Sequence, residues 1–208
     1  MKSLKAVASL KQFFSDYASR LQAVLAEADW SPVEQLAEDL HHCWLNKRQV
    51  FICGNGGSAG NAIHLANDFI YGVAKSLGGG LRVQALSANP AILTCLANDV
   101  GYDRIYSEQL AVQAEPEDLL LVLSGSGNSP NILAVLQQAK AMQVKSYAIL
   151  GYSGGRSKDL ADVAIYFPVD DMQIAEDLQL IVGHMLMQWL YTNRPSIDVE
   201  EKEESLYA

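Results

Sequence analysis

The stretch CGNGGSAGNAIHLANDF, residues 53–69, joins an apolar strand to a helix through a glycine-rich turn. The run before it, QVFICG (49–54), has the length of a buried strand. Beyond the turn, His64 and Asp68 are four residues apart, so they share one face of the predicted helix. Glycine-rich turns that lead into helices often bind phosphate. A histidine and a carboxylate on one helical face can transfer protons or hold a metal, so the stretch predicts a site as well as a fold.

Apolar runs of strand length recur along the chain. They are QVFICG (49–54), LRVQALS (81–87), DLLLVLSG (118–125), SYAILGY (146–152) and VAIYFPV (163–169). Each of the first four is followed by a glycine-rich or polar turn and then by a helical pattern. Strands that alternate with helices form parallel sheets covered on both faces. We therefore predict an α/β fold with a five-stranded parallel sheet, doubly wound in the flavodoxin-like manner.

Helical spacing of apolar residues indicates a helical hairpin before the first strand. Its two helices are predicted over residues 4–28 and 32–47, with Ser31 as the N-cap and Pro32 as the first helical residue of the second.

We expect one domain over residues 1–195, with the hairpin occupying 1–47, and an acidic tail over 196–208. The three cysteines, Cys43, Cys53 and Cys95, lack metal-binding or redox spacing and are predicted to be reduced and packed.

Composition and charge limit the classes of function. Of the 208 residues 50% are apolar and 19% are charged, which is typical of a globular domain. No apolar run approaches the roughly 20 residues that a membrane span needs. The start of the chain resembles an amphipathic helix rather than a signal peptide, so we expect a cytoplasmic protein with no membrane partner. The net charge of −9 argues against nucleic-acid binding, which needs a basic surface.

A second turn, SGSGNSPN (124–131), follows the third predicted strand. Its serine hydroxyls and free backbone N–H groups, together with the dipole of the next helix, could hold an anion. A dinucleotide is less suitable, because the strand after GNGGSA lacks the acidic residue that would bind a ribose. Neither turn has the lysine of a nucleotide-triphosphate loop. A sugar phosphate fits both turns better.

These motifs resemble the sugar isomerase (SIS) domain family, and within it the phosphoheptose isomerases. The resemblance runs from about Lys47 to Tyr191 and is carried by several strings in register. They are GNGGS (54–58), AIH (62–64), ND (98–99), SGSGNS (124–129), where the family typically has STSGNS, and a late helix with His184. The resemblance implies conversion of sedoheptulose 7-phosphate to D-glycero-D-manno-heptose 7-phosphate through an enediol.

The resemblance also implies roles for particular residues. Substrate contacts fall on Asn55, Gly56, Gly57, Ser58, Asn98, Asp99, Ser124, Gly125, Ser126 and Ser129. A divalent metal, zinc in some members, would be held by His64, Asp68, Glu176 and His184, and the catalytic groups would be Asp68, Glu176 and His184.

The chain departs from the family pattern at three of these positions. Asp68 stands where the family usually has a glutamate, Glu176 where it has a glutamine, and Gly125 where it has a threonine. Asp68 is one methylene shorter, and a small loss of reach can lower a rate greatly. We hypothesise that Glu176 restores the carboxylate that Asp68 no longer delivers.

The last predicted helix, Gln173 to Tyr191, is apolar on most sides, which indicates burial against a second copy. Glu176 and His184 are about 12 Å apart along such a helix, so they cannot both bind one ion from a straight helix. Either the first turn is irregular, or sites are completed by different subunits. Family members are typically tetramers, and we expect a homotetramer with sites at subunit boundaries.

Two alternatives remain open from the sequence. One is a non-catalytic SIS adaptor or sensor, of the kind that associates with the bacterial replication initiator. The other is an isomerase of a different ketose phosphate. Convergence of Asp68, Glu176 and His184 in one pocket would favour the enzyme, whereas an Asp68 side chain that faced solvent without a partner would favour the adaptor.

Overall fold

A computed structural model describes residues 9–75 and 79–195. Its strands form a single sheet and are β1 (Gln49–Gly54), β2 (Arg82–Ala85), β3 (Leu119–Ser124), β4 (Lys145–Leu150) and β5 (Val163–Tyr166). They are ordered β2-β1-β3-β4-β5, and every neighbouring pair is parallel. This is the flavodoxin-like strand order. The predicted α/β fold class is therefore confirmed.

Helices cover the sheet and extend beyond it. They are α1 (Leu10–Ala26), α2 (Ser31–Leu45), α3 (Gly57–Asn67), α4 (Pro90–Asp99), α5 (Ser107–Gln113), α6 (Pro130–Ala141), α7 (Ser157–Leu160) and α8 (Met172–Thr192). None of the helices in the described ranges is long and apolar enough to cross a membrane.

Two separate apolar clusters lie on the two faces of the sheet. On one face α2, α3 and α8 pack against residues such as Ile52 and Leu121. On the other face α5 and α6 pack against residues such as Phe51 and Val122. All six residues of β3 are buried, because this central strand is covered on both sides. That double burial explains why its sequence is continuously apolar rather than alternating.

The helical hairpin is present, with small differences from the prediction. Residues 1–8 of the predicted hairpin and the acidic tail, 196–208, lie outside the described residues. The prediction of Ser31 as N-cap is wrong, because α2 already includes Ser31 and the capping position is Trp30. The carboxylate of Asp29 accepts hydrogen bonds from both the backbone N–H and the hydroxyl of Ser31. Asp29, one residue before the N-cap position Trp30, therefore supplies the acceptor that an N-cap side chain normally provides.

The cysteine prediction is correct for two residues of three. Cys43 and Cys53 are buried and free, whereas Cys95 is free and exposed on α4. The prediction of a packed Cys95 is wrong because α4 has no buried residue.

Candidate active site

The glycine-rich turn after β1 and the serine-rich turn after β3 lie side by side. β1 and β3 are neighbours in the sheet, with Gly54 in register with Leu123. Strand order reverses between these two strands, and ligands of open α/β sheets bind at such a switch point, beyond the carboxyl ends. We call residues 54–58 the first turn and residues 124–129 the second turn. The fold therefore brings both predicted ligand-binding turns to one crevice.

Helix α8 packs closely along α3, which continues from the first turn. A Cβ atom on Gly183 would lie 2.1 Å from Cδ2 of Leu65, so the glycine permits this approach. The buried Gln179 side chain donates to Oγ of Ser58 (3.0 Å) and accepts from Nδ2 of Asn61 (3.0 Å). These contacts fix the register of the two helices that carry the predicted catalytic side chains.

His64, Asp68 and His184 form a cluster at the α3–α8 contact. The Nε2 atoms of the two histidines are 2.9 Å apart. The Oδ2 atom of Asp68 is 3.3 Å from Nε2 of His64 and 3.6 Å from Nε2 of His184. The Asp68 side chain is only 16% exposed, whereas the histidines are about half exposed at 49% and 45%. Asp68 thus has two partners instead of facing solvent alone.

This cluster suits a divalent metal. One ligand atom from each of the three residues lies within 4.8 Å of the other two. In tetrahedral coordination with zinc–ligand bonds near 2.0–2.1 Å, ligand atoms lie about 3.4 Å apart, close to the separations in the cluster. Two imidazoles and one carboxylate also leave a fourth position for water or substrate, as catalytic zinc sites do. His64, Asp68 and His184 could therefore hold zinc, with the metal accessible through the two exposed histidines.

The helix changes its geometry where Asp68 lies. Residues Asp68–Gly72 form one turn of π-helix, closed by a hydrogen bond from Val73 N–H to Asp68 O (3.0 Å). Turns of this kind occur often at functional sites. The sequence pattern gave no indication of it, because a π turn inserts one residue without changing the local composition.

Glu176 lies apart from the cluster of the two histidines and Asp68. Its carboxylate is beside the first residue of α3, and a Cβ on Gly57 would be 2.2 Å from Oε2 of Glu176. α8 is a continuous α-helix from Met172 to Thr192, so the predicted alternative, an irregular start of this helix, is wrong. Within one chain Glu176 and His184 therefore lie too far apart to bind one ion.

The first turn is largely occupied by internal contacts. Gly56 has φ +56° with open space around it, and Gly57 is exposed. Ser58 is buried at 4% exposure, and its Oγ accepts the hydrogen bond from Gln179. The Asn55 side chain is half-buried and pairs with Asn131. Of the four residues predicted here, the glycines are the most open to a ligand.

The second turn is stabilised mainly by hydrogen bonds among its own backbone and hydroxyl groups. Ser124 is buried, and its Oγ accepts from the N–H of Gly127 (3.0 Å). Ser126 and Ser129 are half-buried, and Ser129 is the N-cap of α6. At the start of α6 the N–H groups of Ile132 and Leu133 bond to the carbonyl of Ser129.

The structure explains the glycine that replaces the family threonine in the second turn. A Cβ on Gly125 would be 2.6 Å from Sδ of Met172, the first residue of α8. The methionine therefore occupies the space that a side chain at position 125 would need.

Asn98 and Asp99 lie at the exposed end of α4. Asn98 Nδ2 donates to Oδ1 of Asp99 (2.7 Å), and Cys95 donates to Oδ2 of Asp99 (3.5 Å). This hydrogen bond raises the pKa of the Cys95 thiol. α4 has no buried residue, and neither side chain makes a hydrogen bond to the two turns in the described chain. Tyr102 and Tyr106, which follow them in the chain, do reach the first turn.

The sequence did not predict several side chains that hold the first turn, among them Gln179, Asn131, Tyr102 and Tyr106. Gln179 joins α8 to α3, while Asn131 and Tyr102 both contact the Asn55 side chain. Asn131 ends the quoted string SGSGNSPN and could have been noticed there. Tyr102 and Gln179 contact the first turn across 47 and 121 residues of chain, which no local pattern can reveal.

Comparison with known proteins agrees with this geometry. The family model of the SIS domain matches residues 12–151. The phosphoheptose isomerase of Chlorobaculum parvum is 35% identical over 174 residues, which cover 83% of each chain. Solved structures of phosphoheptose isomerases superpose well. The one from Francisella tularensis has a TM-score of 0.83 at 26% identity, with 89% of this chain and 100% of the other covered. The one from Neisseria gonorrhoeae has a TM-score of 0.80 at 25% identity, with 88% and 100% covered. The chain belongs to the SIS domain family and is an isomerase of its phosphoheptose isomerase group.

Proposed function

We propose that this protein converts sedoheptulose 7-phosphate to D-glycero-D-manno-heptose 7-phosphate. The observation that carries the proposal is the convergence of His64, Asp68 and His184 where α8 packs on α3, the helix that follows the first turn. Relatives of similar length that are named phosphoheptose isomerases support the choice of substrate.

The substrate would lie along the crevice. Its phosphate fits the second turn at the start of α6, where hydroxyls and the helix dipole favour an anion. The phosphate contacts would come from Ser124, Gly125, Ser126 and Ser129, and the sugar contacts from Asn55, Gly56, Gly57, Ser58, Asn98 and Asp99.

Isomerisation requires a proton to move between two adjacent carbons. A base removes a proton from C1 of the ketose while O2 gains a proton, which gives the enediol. Return of a proton to C2 with loss of the O1 proton then gives the aldose. We assign these transfers to a carboxylate and to His184, which can carry protons near neutral pH.

The two carboxylates have different surroundings and therefore different proposed roles. The Asp68 carboxylate contacts both His64 and His184, so it suits the role of a metal ligand that also orients the two imidazoles. Glu176 of α8 is not part of that cluster, and its carboxylate lies beside Gly57 at the start of α3, so we assign it to the carbon-bound proton. Zinc, when bound, would polarise a substrate oxygen. His64, Asp68 and His184 would hold it, and Glu176 would join them only from another subunit.

We further propose a cytoplasmic homotetramer with active sites at subunit boundaries. α1 has no buried residue, and its Phe13 and Phe14 are more than 60% exposed. Met185 and Trp189 of α8 are also exposed. Aromatic side chains exposed in this number commonly mark a protein interface.

The test is incorporation of solvent deuterium into sedoheptulose 7-phosphate, followed by NMR, with fructose 6-phosphate as the competing substrate. Metal-free, zinc-loaded and Glu176→Gln proteins would be compared. The control is Glu108→Gln, which removes only a surface ion pair with Arg104. We expect exchange in the zinc-loaded and control proteins and a loss of at least about 100-fold in Glu176→Gln. If the sugar binds but no carbon-bound proton exchanges in any metal state, the isomerase assignment is wrong and a sensor becomes the better one.

A further inference from the structure

We propose that Asn131 and Tyr102 are positioning residues that hold the first turn in a fixed arrangement relative to the second. The proposal rests on the proposed function in one respect, the assignment of an anion to the second turn. It assigns a task to two side chains that lie outside the predicted site.

The central contact is a reciprocal amide pair. Nδ2 of Asn55 donates to Oδ1 of Asn131, and Nδ2 of Asn131 donates to Oδ1 of Asn55, both at 2.8 Å. Asn131 is 1% exposed, so neither bond on its side can be replaced easily by water. A buried amide that loses its partner is costly, which makes this pair a strong constraint on the Asn55 side chain.

Tyr102 completes the constraint from a third segment. Its hydroxyl donates to Oδ1 of Asn55 at 3.1 Å. Tyr102 is the first residue of the 3₁₀ turn Tyr102–Arg104, three residues after Asp99 in the chain. The amide oxygen of Asn55 thus accepts two hydrogen bonds, and one N–H of its amide is left for a ligand.

The position of Asn131 links this clamp to the anion site. Asn131 is the second residue of α6, after Pro130. Proline has no N–H, so the first backbone donor that α6 can offer to an anion is that of Asn131. Asn131 would therefore offer its backbone N–H to the anion, while its side chain holds the first turn. An anion that moves the start of α6 must also move Asn55.

The consequence is coupling between the two turns. Phosphate bound at the second turn should perturb the Asn55 side chain, and removal of the clamp should abolish this response. Asn55 then serves the substrate chiefly by shaping the first turn, with its remaining N–H as the only side-chain donor.

The test uses inorganic phosphate and the side-chain amide resonances of Asn55, assigned by comparison with Asn55→Asp. Asn131→Leu is nearly isosteric and neutral, and it removes both amide bonds without adding charge near the anion. Tyr102→Phe is a milder second variant at an exposed position. Tyr191→Phe is its control, because the described chain gives the Tyr191 hydroxyl no hydrogen bond.

We expect phosphate to shift the Asn55 resonances in the native protein and in Tyr191→Phe. The shift should fall at least about threefold in Asn131→Leu and less in Tyr102→Phe, with KM for the sugar phosphate raised about fivefold, the equivalent of one hydrogen bond, and kcat changed less. An Asn55 response that is absent in the native protein, or unchanged in Asn131→Leu, would overturn the clamp. Coupling in a protein without isomerase activity would instead refute the proposed function and leave the clamp intact.

Discussion

The two turns at the crevice have similar compositions but are held in different ways. The first turn is fixed by distant side chains: Tyr106 donates to the carbonyl of Gly54, Asn131 pairs with Asn55, and Gln179 donates to Ser58. The second turn is held by its own groups and by the backbone of the loop after β4. Ser124 accepts from Gly127, Gly151 N–H donates to Gly125 O, and Ser157 N–H donates to Gly127 O.

This difference indicates a division of tasks. A turn held by backbone is rigid and suits the invariant phosphate of a substrate. A turn held by side chains from α6, α8 and the 102–106 segment depends on the packing of those elements. It suits the part of the substrate that must be aligned with the reacting groups. Substitutions in each turn can separate the two kinds of support.

The largest effect is expected from Gly127→Ala in the second turn. Gly127 has φ +65°, and a Cβ there would lie 2.0 Å from the carbonyl oxygen of Gly154, which is backbone and cannot turn away. We expect a loss of about 3 kcal/mol or more in the free energy of unfolding. Gly56→Ala in the first turn is the matched control, since Gly56 has φ +56° but no atom within 4 Å. Its cost should be only the backbone strain of φ +56° with ψ −122°, about 1–3 kcal/mol. Urea denaturation measures both, and equal losses would contradict the difference between the turns.

Gly57→Ala should affect catalysis rather than folding. The new Cβ would be 2.2–2.5 Å from the carboxylate atoms of Glu176, which are the flexible end of a side chain and can move aside. We expect kcat to fall tenfold or more from misplacement of this carboxylate, with little change in stability. Gly60→Ala is the control on the same helix, because nothing lies within 4 Å of its Cβ position. It should keep full activity and gain up to about 1 kcal/mol of stability. A Gly57→Ala enzyme with native kcat would exclude Glu176 from the chemistry.

Tyr106→Phe tests whether the hydrogen bond from Tyr106 to the Gly54 carbonyl stabilises the first turn. The Tyr106 hydroxyl donates to Gly54 O at 2.5 Å, and burial raises the pKa of this tyrosine. Its removal leaves a buried carbonyl without this donor, so we expect a loss of about 1–2 kcal/mol in the free energy of unfolding. Tyr191→Phe should change stability by less than about 0.5 kcal/mol. Thermal unfolding of the two variants side by side decides the matter, and indistinguishable midpoints would show that this bond does not support the turn.

The smallest effect is expected from Gly125→Thr in the second turn. The substitution restores the family hydroxyl, but its Cβ meets Sδ of Met172 at 2.6 Å. We expect little gain in phosphate affinity from the single variant and about a threefold to tenfold gain when Met172→Ala is added, the equivalent of one hydrogen bond. Calorimetric titration with inorganic phosphate measures this. A double variant no tighter than Met172→Ala alone would mean that position 125 does not face the anion.

Much of the fold could be predicted because its signals are local. The continuous apolar run Leu119–Leu123 indicates a doubly covered central strand, and each of the first four strands is followed by a glycine-rich or polar turn. The cluster of His64 and Asp68 was predictable from helical spacing, and His184 from the family motif. The packing of α8 on α3 that brings them together depends on Gly183 and Leu65, a contact across 118 residues of chain.

The rest of the site could not be predicted from the sequence, because it also depends on contacts between elements that are distant along the chain. The π turn at Asp68, the position of Glu176 over Gly57, and the amide clamp on Asn55 all arise from contacts between distant elements. Composition predicts that a segment will turn, but it does not state which side chains will hold the turn in place.

The proposed roles of Glu176 and the two turns are tested most directly by a crystal structure of the Glu176→Gln variant with sedoheptulose 7-phosphate. We predict the phosphate at Ser126 and Ser129 beside the start of α6 and the sugar across Gly56 and Gly57. Its C1–C2 end should lie between Gln at position 176 of one subunit and His184 of another, since the two are too far apart within one α8. A phosphate bound at the first turn, or a sugar whose C1 and C2 lie far from both groups, would contradict these roles.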